Sequence, residues 1–128
     1  MVENFPQPGR HLANKFNRET LQARLDAEPF ARRTFSFYRY VYLNEPAEVR
    51  DRLYAQWDAL QCLGRIYVAH EGINAQMNVP AHHWDRFVEE LNAWPEFAGV
   101  PLKIAVEDDG KSFLKLTIKV RHQIVADG

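Results

Sequence analysis

The sequence predicts an α+β domain, an open-faced sandwich of βαββαβ order with one further strand towards the C-terminus. Three observations predict it: an aromatic, β-branched run of period 2 from Thr34, two helical stripes that each join strands, and two short strands flanking the turn EGIN. The 128 residues suit one domain, and a composition 46% hydrophobic and 12% aromatic suffices for a single core.

Residues 1–33 read as an N-terminal extension. Pro6 and Pro8 lie in a polar, charged run, and Leu21 and Leu25 stand at helical spacing after Asn17, which gives a short helix. The domain itself is read as residues 34–128. TFSFYRYVYL, from Thr34, is a strand buried on at least one face, because aromatic and β-branched residues favour a pleated surface. Asn44 and Pro46 open a helix whose apolar stripe is Val49, Leu53, Trp57 and Leu60, and Gly64 stops it. GRIYVAH and INAQMNV form a hairpin through Gly72. Pro80 opens a second helix, with Trp84, Phe87, Val88 and Leu91 as its stripe, ending near Trp94 and Pro95. PLKIAV and FLKLTIKV are two more strands, separated by the acidic turn EDDGKS, in which Asp109 and Gly110 form a favourable turn pair. This order is that of the ferredoxin-like, or acylphosphatase-like, sandwich.

Two helices that each join strands pack on one face of an antiparallel sheet and leave the other open. Strand alternation then sorts the side chains. Phe35, Phe37, Val41, Leu43, Ile66, Val68, Ile73, Ala75, Met77, Val79, Leu114, Leu116, Ile118 and Val120 point to the helices. Tyr38, Tyr40, Tyr42, Arg65, Tyr67, Asn74, Gln76, Asn78, Lys115, Thr117, Lys119 and Arg121 make up the open face. Rings interleaved with cations suit single-stranded RNA, since rings stack on bases and cations neutralise phosphates. The same composition also suits a solvent-facing sheet or an interdomain contact.

Other chemistries find less support. A net charge of −1 argues against duplex DNA as a partner. No apolar stretch approaches the roughly 18 residues of a membrane span, and the start MVENFPQPGR lacks the pattern of a secretory signal, so a cytoplasmic protein is expected. The lone Cys62 excludes an internal disulfide and reads as a small apolar residue near a helix end. INAQMNV has no aromatic residue, unlike the third strand of an RNA-recognition motif. The loop LNEPAE is acidic and free of glycine, which disfavours an acylphosphatase phosphate cradle. AHEGIN lacks the second histidine of a zinc-hydrolase helix, although His70 and Glu71 are an acid/base pair in kind. His82 and His83 read as solvated or capping side chains, and Glu107, Asp108 and Asp109 as a solvated turn; no metal site is expected.

At FSFYRYVYL, GRIYVAHEGINAQMNV and DDGKSFLKLTIKVRHQIVADG the sequence closely resembles the N-terminal domain of the bacterial tRNA uridine hydroxylases, a rhodanese-related family, over about residues 30–128. His70, Glu71, Gly72, Ile73 and Asn74 match its turn motif, and Lys111, Ser112, Phe113, Lys119 and Arg121 match its later one. The resemblance implies a part in oxygen-dependent hydroxylation of the wobble uridine of certain tRNAs to 5-hydroxyuridine. It implies molecular oxygen as co-substrate, the tRNA anticodon loop as partner, and a rhodanese-like domain with a Cys-containing loop following in the same protein. That loop has no counterpart here, so the chain is expected to be an excised domain, inactive by itself. No cofactor is evident, and nothing shows the two-His-one-carboxylate pattern of non-haem iron oxygenases.

On this reading Tyr38, Tyr40 and Tyr67 offer stacking surfaces, and Lys111, Lys115, Lys119 and Arg121, with Arg39, hold the RNA backbone. His70, Glu71 and Asn74 are the catalytic candidates. The alternative is a non-catalytic docking module that packs its open face on a rhodanese-like sulfurtransferase domain.

Overall fold

The computed structural model describes residues 18–106 and 108–125. Pro6, Pro8, Asn17 and Glu107, all part of the readings above, lie outside the described residues. The elements are α1 (Arg18–Ala27), β1 (Arg32–Tyr40), α2 (Pro46–Ala59), β2 (Leu63–Ala69), β3 (Gly72–Pro80), a 3-10 turn (Ala81–His83), α3 (Trp84–Asn92), β4 (Lys103–Ile104) and β5 (Leu116–Val120). The five strands form one sheet in the order β4-β1-β3-β2-β5. Every pairing is antiparallel except β2 with β5, which is parallel. The first four strands with α2 and α3 are the expected βαββαβ sandwich, and β5 is the expected extra strand at the edge beside β2.

The helices α2 and α3 cover one face of the sheet. Between the layers lie Phe35, Phe37, Leu53, Trp57, Ile66, Ile73, Met77, Phe87 and Leu91, all buried in one continuous apolar cluster. Phe35 meets Trp84 and Phe87 edge-on with ring centroids 5.1 and 5.0 Å apart, a favourable geometry for aromatic quadrupoles. Pro46 occupies the first turn of α2, where its missing N–H costs no hydrogen bond. Arg50 ties α2 to the edge strand, its Nε donating to the Ile118 carbonyl at 2.8 Å.

The β2–β3 hairpin turns tightly enough that Gly72 pairs with Ala69 on one side and Tyr40 on the other. A Cβ at Gly72 would lie 1.9 Å from the Arg39 carbonyl oxygen, and its φ of 144° lies in territory that other residues avoid. The glycine of EGIN therefore serves the close approach of β1. Beyond Tyr40 the chain stays against the hairpin without strand geometry, as Val41 and Leu43 donate their N–H groups to the Glu71 and His70 carbonyls at 2.9 Å.

Several expectations are corrected. Pro80 ends β3 rather than opening a helix; a 3-10 turn intervenes, and His83 within it bonds the Leu60 carbonyl at 2.8 Å. PLKIAV contributes only Lys103 and Ile104 to the sheet. Its alternation lacks a covering layer, which leaves Ile104 46% and Val106 96% exposed. FLKLTIKV begins its pairing at Leu116, and Val120, expected inside, is 44% exposed because it ends an edge strand.

The largest correction concerns the open face. The strands β4 and β5 lie at opposite edges, so the segment between them crosses the outer side of the sheet instead of making a hairpin. Gly110, with φ 74°, passes so close to β1 that a Cβ there would stand 3.0 Å from the Arg32 Cβ. Asn78, expected outside, is fully buried beneath this crossing, its Nδ2 donating to the Gly110 carbonyl at 3.3 Å. Beside it Arg32 grips the Glu28 carboxylate with two bonds of 2.8 Å and also donates to the Gln61 carbonyl and to Asn78 Oδ1.

Candidate nucleic-acid interface

What remains presented is the middle of the outer face, built in rows by the strand register. One row runs Tyr38, Asn74, Tyr67, Lys119 across four strands. The neighbouring row spans all five: Lys103, Ser36, Gln76, Arg65, Thr117. Directly opposed residues in paired strands share a face, so these side chains stand together. Tyr38 and Tyr40 are 64% and 61% exposed, with ring centroids 6.2 Å apart at 77°. Tyr67 is half-buried, and the Arg121 guanidinium lies 5.2 Å from its ring centroid, where a cation is attracted to the aromatic face.

The expected site residues are thus not all together. Tyr38, Tyr40, Tyr67, Lys119 and Arg121 share the presented area. Lys115 is exposed just before β5, where its carbonyl accepts the Gly64 N–H at 3.0 Å. Lys111 belongs to the crossing segment and is paired with Asp26 of α1 at 3.1 Å. That ammonium and, next, the Gln22 amide hold the Asp26 carboxyl below its ordinary value. Arg39 has the opposite strand parity and bonds the Ala98 carbonyl at 3.0 Å, away from the tyrosines. Lys103 and Arg65 are cations of the presented rows that the site reading omitted; opposition to Ser36 and Gln76 in the register reveals them.

The three catalytic candidates do not converge. The His70 ring nitrogen Nδ1 is 3.0 Å from the Leu43 carbonyl, an acceptor, so Nδ1 carries the proton. The Glu71 Oε2 instead accepts the Ile124 N–H at 2.9 Å. Asn74 donates its amide to the Ile124 carbonyl at 2.8 Å. Both backbone groups of one tail residue are thereby held by the hairpin, and the Ile124 side chain is 1% exposed. Two of the three candidates therefore fasten the chain's tail at the hairpin end of the sheet.

No group of three or more His, Cys, Asp or Glu among the described residues is placed to hold a metal ion. In the acidic turn Asp108 accepts the Gly110 N–H at 2.7 Å and Asp109 the Lys111 N–H at 2.9 Å, so these carboxylates close their own loop. Cys62 is 1% exposed inside the core, and burial pushes its thiol up to about 12, which keeps it protonated and unreactive.

Comparison with known proteins sets this geometry in a family. The model of the UPF0176 acylphosphatase-like domain matches residues 32–124, the whole sheet and its tail. The chain belongs to that family. Two relatives match over nearly the whole chain: a tRNA uridine(34) hydroxylase of Leptospira interrogans is 53% identical over 119 residues, covering 93% of this chain and 32% of that protein. A tRNA uridine(34) hydroxylase of Escherichia coli is 48% identical over 118 residues, covering 91% of this chain and 34% of its own. The chain thus spans about a third of the length of the curated relatives it matches. Among the described residues no helix is long and apolar enough to cross a membrane.

Proposed function

We propose that this chain is the tRNA-substrate-binding domain of an oxygen-dependent tRNA wobble-uridine hydroxylase that forms 5-hydroxyuridine. The presented rows carry the reading: exposed Tyr38 and Tyr40 beside Tyr67, with Lys119, Arg121, Arg65 and Lys103 around them. Tyr38 and Tyr67 lie two strands apart, about 10 Å at the usual strand spacing, on either side of Asn74 and the tail it holds, so each ring would take its own base. Unstacked bases of an RNA loop are what such rings accept, and the cations at their margin meet phosphates without reading sequence. The relatives' name supplies the client: tRNA, at uridine 34.

Titration of the chain with an anticodon stem-loop at two salt concentrations tests the reading. Binding is expected to weaken with salt, and Lys119→Ala is expected to flatten the log–log slope by about 0.7, the share of one phosphate contact on a single strand. Tyr38→Ala is expected to weaken binding about tenfold, within the range of one lost base stack. Absence of binding at low salt overturns the proposal.

The fastened tail favours a second role. Glu71 and Asn74 hold both backbone groups of Ile124 beside the tyrosine rows. That role is the docking of a rhodanese-like domain of the same protein against this face, and it is compatible with substrate binding.

A further inference from the structure

A cleft of about 510 Å³ opens where three segments meet: the β1–α2 loop, the β2–β3 turn and the exit from β5. Asn44 and Glu45 contribute from the first, His70 from the second, and Val120, Arg121 and His122 from the third. We propose that this cleft receives one ribonucleotide extruded from the RNA that lies on the tyrosine rows. The inference rests on the RNA-binding reading and adds a defined subsite to it.

Four observations support this. The volume falls in the range of roughly 300–1,000 Å³ typical of small-molecule sites, far more than a bare phosphate needs. The His70 ring is fixed in place: its Nδ1–H is spent on Leu43, and the Tyr42 ring stacks on it at 6.0 Å and 15°. A held, flat imidazole with the half-exposed Val120 gives the cleft an apolar side on which a base can rest. His122 lines the same opening with a hydrogen-bonding ring, and Arg121, whose guanidinium stands over Tyr67, brings a cation to its border, suited to a phosphodiester.

Arg121 also makes the cleft continuous with the tyrosine rows. Its guanidinium stands over Tyr67 while its N–H donates to the Val68 carbonyl at 2.8 Å, so one residue borders both areas. Glu45 is the opposing charge at the site, and it selects for ribose: a carboxylate accepts hydrogen bonds from the 2′-hydroxyl, which deoxyribose lacks.

Uridine 5′-monophosphate and its 2′-deoxy counterpart, titrated into the isotope-labelled chain, test the subsite by amide chemical shifts. Shifts are expected at Asn44, His70, Arg121 and His122, with the deoxynucleotide bound at least about threefold more weakly, as for one lost hydrogen bond. His122→Ala, whose ring takes no hydrogen bond among the described residues, is expected to lower stem-loop affinity about fivefold; His70→Ala does the same if its spectrum elsewhere stays native. Stem-loop binding that depends on Tyr38 but not on His122, with no mononucleotide shifts at the cleft, overturns the subsite and leaves the RNA reading standing. Loss of all stem-loop binding by the unaltered chain overturns both.

Discussion

Arg32 shows how much one side chain organises here. Its side chain is 4% exposed, and it serves the Glu28 carboxylate, the Gln61 carbonyl and the buried Asn78 together. Removing a charge from such a place strands its partners, which costs more than the pair's own net worth. Arg32→Ala is therefore expected to destabilise the chain by about 3 kcal/mol in denaturant unfolding, and Arg32→Lys to recover only part, since an ammonium lacks the planar fork. Cys62 offers a second residue-scale test. Its thiol, raised from 9.0 to about 12 by burial, stays protonated in the folded chain while the unfolded chain ionises first. The folded state then holds the extra proton, so this residue's contribution to stability is intact below pH 9 and declines as pH rises from there to about 12. Unfolding melts across that window check the sign, and alkylation of Cys62 is expected only after denaturation.

At the scale of elements, the hairpin and the tail form one unit. Glu71→Ala or Asn74→Ala is expected to free the tail, with the Ile124 amide losing its protection from hydrogen exchange while β1 and β3 amides keep theirs. Unchanged protection at Ile124 would show that its buried side chain alone holds the tail. The strands β1 to β3 and the helix stripes were legible in the sequence because alternation and helical periodicity are imposed along the chain, residue by residue. Phe35, Phe37, Ile66 and Met77 are buried as their parity requires. The paths of 108–115 and 121–125 were not legible. They depend on backbone groups of Gly110 and Ile124 meeting side chains 32 and 50 positions away, and such contacts leave no period in the sequence. For the same reason Asn78 read as outward and solvated, when its parity was right and its cover was not visible.

For the whole molecule, a net charge of −1 conceals a one-sided arrangement. Lys103, Arg65, Lys119 and Arg121 gather on or beside the outer rows, while Glu28 and Asp26 are occupied by Arg32 and Lys111 beyond their end. The candidate interface was legible as a face and a composition. Its membership was not, because Lys111 and Arg39 find nearer partners in Asp26 and the Ala98 carbonyl.

The two sides of the sheet also differ in their aromatic residues. Trp57, Trp84 and Trp94, all the tryptophans of the chain, belong to the helix side, whereas Tyr38, Tyr40 and Tyr67 look outward from the sheet. The described tryptophans thus lie on one side of the β-layer and Tyr38, Tyr40 and Tyr67 on the other, while Tyr54 sits on α2 with the tryptophans. A ligand settling on the outer rows is expected to quench the part of the tyrosine emission that Tyr38, Tyr40 and Tyr67 supply and leave the tryptophan maximum where it was, while one entering between α2 and α3 would shift the tryptophan band first. A fluorescence cuvette can thus tell on which side of the sheet a binding event occurs, with no label attached.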